Sequence, residues 1–101
     1  REYCLSKKGA TESFPFDDVS LVIKVMNKMF ALIDLEGANS IALKCDPEKA
    51  IELREHYAGI EGAYHFNKKY WNRINFGMDA DDKLIKELID HSVEEVIKKT
   101  P

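Results

Sequence analysis

The sequence predicts an α+β two-layer sandwich, an antiparallel sheet covered on one face by helices, and three observations lead there. Two β-rich runs, Ser20 to Val25 and Met29 to Leu35, are separated only by Met26-Asn27-Lys28, which makes them a hairpin. A third β-run, Ile41 to Cys45, follows the turn residues Glu36-Gly37-Ala38-Asn39, and connections this short force neighbouring strands antiparallel. Two segments with a single apolar stripe each, one after Asp46 and one after Asp79, supply helices to cover the sheet.

Arg1 to Lys7 reads as a short helix with Tyr3 and Cys4 inward and Gly9 as its stop. Ser13-Phe14-Pro15-Phe16 is limited by Pro15 to an edge strand or an extended lead-in. In the hairpin, Leu21, Ile23 and Val25 alternate with Val22, Lys24 and Met26, so one face is apolar and the other mixed; Asn27 tolerates the positive φ of the turn. Asp46-Pro47-Glu48 opens a helix: the Asp46 side chain accepts from orphan N–H groups, Pro47 has the φ of a first turn, and Glu48 suits the positive end of the dipole. Its inner face is Ala50, Leu53 and Tyr57 with Ile51 alongside, and Gly59 is expected to end it in the left-handed conformation. Arg73 to Phe76 reads as a short last strand. Asp79 is expected to cap a final helix with Asp81 and Asp82 in its first turn, Lys98 and Lys99 in its last, and a stripe of Leu84, Ile85, Leu88, Ile89, Ser92, Val96 and Ile97.

At 101 residues and 45% hydrophobic content the chain suits one domain spanning residues 1–101, stable without disulfide or metal. Cys4 and Cys45, far apart and without a C-x-x-C partner, read as reduced thiols of a cytoplasmic protein. No apolar run approaches the roughly 18 residues of a membrane span, and Arg1 does not open a signal peptide. We expect no membrane association and a monomer. A net charge of −3 argues against a dedicated high-affinity nucleic-acid binder.

The charge is unevenly spread. From Tyr64 to Phe76 stand Lys68, Lys69 and Arg73 and no acid, whereas Gly77 to Ile97 holds seven acids against two lysines, a balance of −5. A local cationic surplus set among aromatic and amide side chains points to an anionic partner.

Several segments carry a resemblance over nearly the whole chain: Tyr3-Cys4-Leu5, Phe14-Pro15-Phe16, Lys28-Met29-Phe30-Ala31-Leu32, Leu43-Lys44-Cys45-Asp46-Pro47-Glu48, Leu53-Arg54-Glu55, Tyr64-His65-Phe66-Asn67-Lys68 with Trp71-Asn72, and Glu87-Leu88-Ile89-Asp90-His91-Ser92. Together they resemble the MmcQ/YjbR family, most specifically in the Lys-Cys-Asp-Pro-Glu and His-x-Asn-Lys-x-x-Trp-Asn runs. The resemblance implies a frataxin-like (CyaY-like) sandwich and DNA binding through a double-wing arrangement. Two departures stand out: Met26-Asn27 occupies a hairpin turn where glycines are frequent, and Phe66 stands where Met is frequent. Function still has to be argued from a site.

The first expectation is weak, non-specific DNA binding. Lys68, Lys69 and Arg73 would meet phosphates, Tyr70 or Trp71 would stack on a base, and Lys24, Lys28 and Lys44 would extend the basic surface along the hairpin. The bland alternative is that Trp71 packs inward and the lysines are ordinary solvated charges. The second expectation is a module for an anionic small ligand or a protein, with His65, Asn67 and Asn72 around a pocket floored by Trp71. Against it, Asn67 can simply hold a turn and His65 fix a loop. An enzyme is not expected: Cys45 and His65 make a weak thiolate-imidazole candidate with no nucleophile motif around it. No cofactor or metal is expected. His56, His65 and His91 are scattered, Glu12, Asp17 and Asp18 read as a solvated edge, and Asp79, Asp81 and Asp82 read as charges at a helix start.

Overall fold

The computed structural model describes residues 2–36, 40–63 and 66–98. In chain order the elements are α1 (Glu2–Leu5), β1 (Thr11–Ser13), β2 (Ser20–Val25), β3 (Lys28–Asp34), β4 (Ser40–Lys44), α2 (Pro47–His56), β5 (Ile60–Gly62), β6 (Trp71–Asn75) and α3 (Asp82–Lys98). The strands form one antiparallel sheet in the order β1-β2-β3-β4-β6-β5. The α+β two-layer expectation therefore holds. Six strands are present: the edge strand read at Ser13 to Phe16 lies earlier, at Thr11–Ser13, with Phe14 to Phe16 outside it, and β5, with three residues, has too little pattern to announce itself.

Strand alternation sorts the side chains onto two faces. Leu21, Ile23 and Val25 from β2, Ala31 and Ile33 from β3, Ile41 and Leu43 from β4 and Ile74 from β6 face α3, where Leu88, Ile89 and Val96 close the core. The other face is open and carries Val22, Lys24, Leu32, Asp34, Ser40, Ala42, Lys44, Trp71, Arg73 and Asn75 in register across the strands. Between β2 and β3 the register slips: Ile23 pairs with Ala31 and Lys24 with Met29, leaving Phe30 as the extra residue of a bulge. The bulge turns Phe30, fully buried, into the core, where an aromatic ring contributes about 1.5–3 kcal/mol.

The hairpin turn follows from backbone chemistry. Met26 (φ 50°) and Asn27 (φ 62°) both take the left-handed conformation that a two-residue hairpin loop requires. Asn27 does so readily, whereas Met26 holds it without a glycine and points 59% exposed into solvent.

Helix α2 starts as expected, with the Asp46 carboxylate accepting from the Lys49 N–H at 3.2 Å and Pro47 in the first turn. Its inner face is narrower than read: Ala50 is buried, but Ile51 is 49% exposed. The expectations for Gly59 and Asp79 need correction. Helix α2 ends at His56 with an extended Tyr57, and Gly59 is not left-handed. What Gly59 needs is space, because a Cβ there would stand 2.8 Å from the Met78 Cβ and 3.0 Å from Asp79 Oδ1. Asp79 does not cap α3; it accepts from the Ala58 and Gly59 N–H groups at 2.7 and 2.8 Å and so fixes the turn into β5. Asp81 does the capping, accepting from the Leu84 N–H at 2.8 Å. The stripe of α3 buries Leu88, Ile89, Ser92 and Val96, while Ile97 is 44% exposed.

Strands β3 and β4 pair from Asp34↔Ser40 to Ala31↔Leu43 and then part. At the point of parting, the buried Ser92 hydroxyl accepts from the Lys44 N–H (3.0 Å) and donates to the Phe30 C=O (2.5 Å). One side chain of α3 thus completes the ladder of two strands. Ser92→Ala should cost about 1–3 kcal/mol by leaving both backbone groups buried and unpaired. Urea unfolding checks this, and wild-type stability in the variant would refute it.

Candidate functional site

The register gathers three segments at one end of the sheet. Strands β2 and β4 run towards this end and β6 starts from it, with Lys24 opposite Met29, Lys44 opposite Trp71 and Gly62 opposite Asn72. The tip of the β2–β3 hairpin, the end of β4 and the β5–β6 loop therefore stand side by side. They bring Lys24, Lys28, Lys44, Lys68 and Lys69 to one edge of the molecule; Lys28, Lys68 and Lys69 are exposed and Lys24 and Lys44 half-buried. Tyr64 and His65 lie outside the described residues.

The loop that carries Lys68 and Lys69 is held from several directions. Asn67 Oδ1 accepts from the Lys69 N–H (3.0 Å) and the Asn67 C=O from the Tyr70 N–H (3.0 Å), which makes Asn67 a turn residue. The Arg54 guanidinium, arriving from α2, donates to the Lys68 C=O at 2.7 Å. Gly62 permits this crossing, since a Cβ there would lie 3.0 Å from the Lys68 Cβ and 3.1 Å from Arg54 Nη1. The Tyr70 C=O accepts from the Cys45 N–H at 2.7 Å, which ties the loop to the end of β4. Ile51, Arg54, Asn67, Lys68 and Lys69 line an open recess of about 480 Å³ with no acid in its wall. Arg54, which the sequence reading left out, is the third cation in the wall of this recess.

Not every anticipated cation joins this group. Arg73, two pairs beyond Lys44↔Trp71 along β6, lines a different recess on the open face together with Asp17, Asp34 and Glu36. The two aromatic candidates are half-buried: Trp71 stacks on Phe66 (centroids 4.8 Å apart, planes at 26°), and Tyr70 has Lys69 Nζ 5.5 Å above its ring. The pocket anticipated around Asn67, Asn72 and Trp71 does not come together from the described residues. Asn72 and Trp71 are consecutive in a strand and so point to opposite faces. Asn72 is buried beneath α2, its Nδ2 donating to the Ala50 C=O at 3.2 Å.

The ends of the elements meet on the helical side. His91 is half-buried, and its Nε2 accepts from the Asp46 N–H at 3.2 Å, which links α3 to the start of α2. Burial, and after it the neighbouring Lys49, push the imidazole below its ordinary value, while Glu95, Glu94 and Asp46 oppose them. Cys45 is buried and its thiol is pushed up to about 11, chiefly by desolvation, which makes it a poor nucleophile. The acids of α3 are partly engaged: Asp90 holds Lys7 and accepts from the Tyr3 hydroxyl at 2.9 Å, and buried Glu95 lies 3.4 Å from Lys98. Among the described residues no group of three or more His, Cys, Asp or Glu has metal-holding geometry, and no helix is long and apolar enough to cross a membrane.

The YjbR family model matches residues 5–94. Escherichia coli K12 YjbR is 30% identical over 101 residues, covering 99% of this chain and 86% of that protein. The crystal structure of Deinococcus radiodurans protein DR2400 superposes with a TM-score of 0.90 at 37% identity, covering 98% of this chain and 76% of that one. A crystal structure of a Pseudomonas syringae protein gives 0.77 at 27% identity, covering 93% and 92% of the two chains.

His91 also gives the fold a pH dependence. Its folded value lies below the ordinary 6.5, so below pH 6.5 the unfolded chain binds a proton that the folded chain still excludes. Its stabilising contribution is complete above pH 6.5 and is lost as pH falls towards the folded value. His91→Gln, which keeps an acceptor for the Asp46 N–H, should flatten the loss of stability in this interval relative to wild type, as read by urea unfolding at stepped pH. Parallel curves for the two proteins would refute the assignment.

Proposed function

The chain belongs to the YjbR family, matched over residues 5–94, and from that premise we propose that it binds nucleic acid, weakly and without sequence preference, through the lysine-bearing end of its sheet. The observation that carries this reading is the register, which turns the tips of two hairpins, β2–β3 and β5–β6, in one direction with Lys44 between them. Two such hairpins are what a double wing requires. With strands roughly 4.8 Å apart, the centres of the hairpins stand about 14 Å from each other, on the scale of a groove about 12 Å wide. The lysines on both tips can then meet phosphates on either side of it.

The energetics fit a modest binder. Each phosphate neutralised by Lys or Arg releases condensed counterions and steepens the salt dependence by about 0.9 in log-log slope on duplex DNA. Lys24, Lys28, Lys44, Lys68 and Lys69 supply few such contacts, and the overall charge of −3 opposes non-specific attraction. Trp71 already stacks on Phe66, so base stacking falls to Tyr70 or to the remaining indole face. Both thiols are buried with raised pKa values, which favours a binding module over an enzyme.

The test is fluorescence anisotropy with a labelled duplex and a labelled single strand across a salt series. Lys28→Ala combined with Lys68→Ala and Lys69→Ala should reduce the duplex slope by about 2–3. Lys83→Ala on α3 should leave it unchanged. Undetectable binding of wild type at low salt, or an unaltered slope in the triple variant, overturns the proposal.

A further inference from the structure

The open face of the sheet holds a second recess, bordered at one end by Phe66 of the β5–β6 loop. It has two lobes, of about 230 and about 340 Å³, which share Asp17, Ser20, Leu32 and Phe66 in their walls. That is the lower end of the ~300–1,000 Å³ usual for small-ligand sites. Arg73 stands at one side, Asp34 and Glu36 at the other, with Ser40 and Ala42 on the strand between them. Arg73 and Asp34 are two strands and two residues apart, so their backbones lie on the order of 12 Å from each other.

Arg73 is the unusual member. Its Nε–H is buried and has no hydrogen-bond partner among the described residues. Its cross-strand neighbour Glu61 does not take it; Glu61 Oε2 instead accepts from Asn75 Nδ2 at 3.0 Å. That donor is sealed from solvent as it stands; a modest turn of the guanidinium would present its Nε–Nη edge, which matches two carboxylate oxygens, and a bound carboxylate would return the free energy that the unpaired donor costs. A simple anion is nevertheless a poor fit, since Asp34 and Glu36 repel it. Asp17 is committed to its own turn, accepting from the Val19 and Ser20 N–H groups at 3.0 and 2.7 Å. Asp34 uses Oδ1 for the Glu36 N–H (3.0 Å), and no described residue engages its Oδ2. The three carboxylates outweigh the one guanidinium, so a simple cation meets less opposition, but it leaves the Arg73 donor unpaired. Only a ligand carrying both signs satisfies both walls.

We propose that this recess binds a small zwitterion of the α-amino-acid class, with its carboxylate on Arg73, its ammonium at Asp34 and its apolar part against Leu32 and Phe66. The charged groups of this site are distinct from the lysines at the hairpin tips, although Phe66 lies in the loop that carries Lys68 and Lys69.

NMR titration of the labelled full chain tests it with three probes: L-leucine, N-acetyl-L-leucine without the ammonium, and L-leucinamide without the carboxylate. L-leucine should give saturable shifts at Ser20, Leu32, Ala42 and Arg73, and each analogue should bind at least about tenfold more weakly. Arg73→Gln and Asp34→Asn should each weaken L-leucine by a similar factor; the second keeps the test valid if the first misfolds. Lys68→Ala with Lys69→Ala should change nothing here while lowering the salt slope for DNA. No saturable shift by about 10 mM L-leucine, equal binding of the three probes, or wild-type affinity in the folded variants overturns the proposal.

Discussion

The hydroxyl of Ser92 sits where the sheet divides. Up to Ala31↔Leu43, β3 and β4 satisfy each other; beyond it Phe30 bulges into the core and the ladder opens. An opened ladder inside a protein leaves an N–H and a C=O buried, a state that structures rarely tolerate. Ser92 fills the opening from α3 by accepting from one strand and donating to the other. The bulge, the parting of the strands and the seat of the C-terminal helix are thus one arrangement. Beyond that point β3 pairs only with β2, and β4 only with β6.

The open face is organised by charge as well as by shape. Lys24 and Lys44 lie towards the hairpin tips, and Asp34 and Glu36 towards the other end, where Asp17 introduces β2. Arg73 stands between the two regions and belongs to the second by its surroundings. The loop lysines are backed by Arg54, whose side chain serves first as a strut for the Lys68 carbonyl and then as additional positive charge in the same recess. A strut of this kind restricts the loop's conformations.

What the sequence revealed was local. The hairpin, the capped start of α2 and the stripe of α3 were legible because each depends on residues a few positions apart. The charge contrast between the 64–76 segment and the last helix was legible by counting. What escaped depends on distant partners. Asp79 looked like a helix cap because three acids cluster there, yet its oxygens meet amides some twenty residues earlier. Gly59 looked like a helix stop, and it is a glycine because Met78 and Asp79 crowd it. Arg73 appeared to belong with Lys68 and Lys69 by proximity in the chain, but strand alternation and register send it to the recess beside Asp34. His91 and Arg54 gave no local sign of the contacts that occupy them.

Both cysteine thiols are sealed inside. Cys4 is fully buried and Cys45 nearly so, and desolvation holds each thiol in its unreactive form. A thiol-directed reagent therefore cannot survey the surface of this protein. It can only wait for the structure to breathe, and it meets Cys4 beneath the N-terminal turn and Cys45 where β4 runs into α2. The molecule carries two internal clocks, one at each seam, whose rates record how often that seam comes apart.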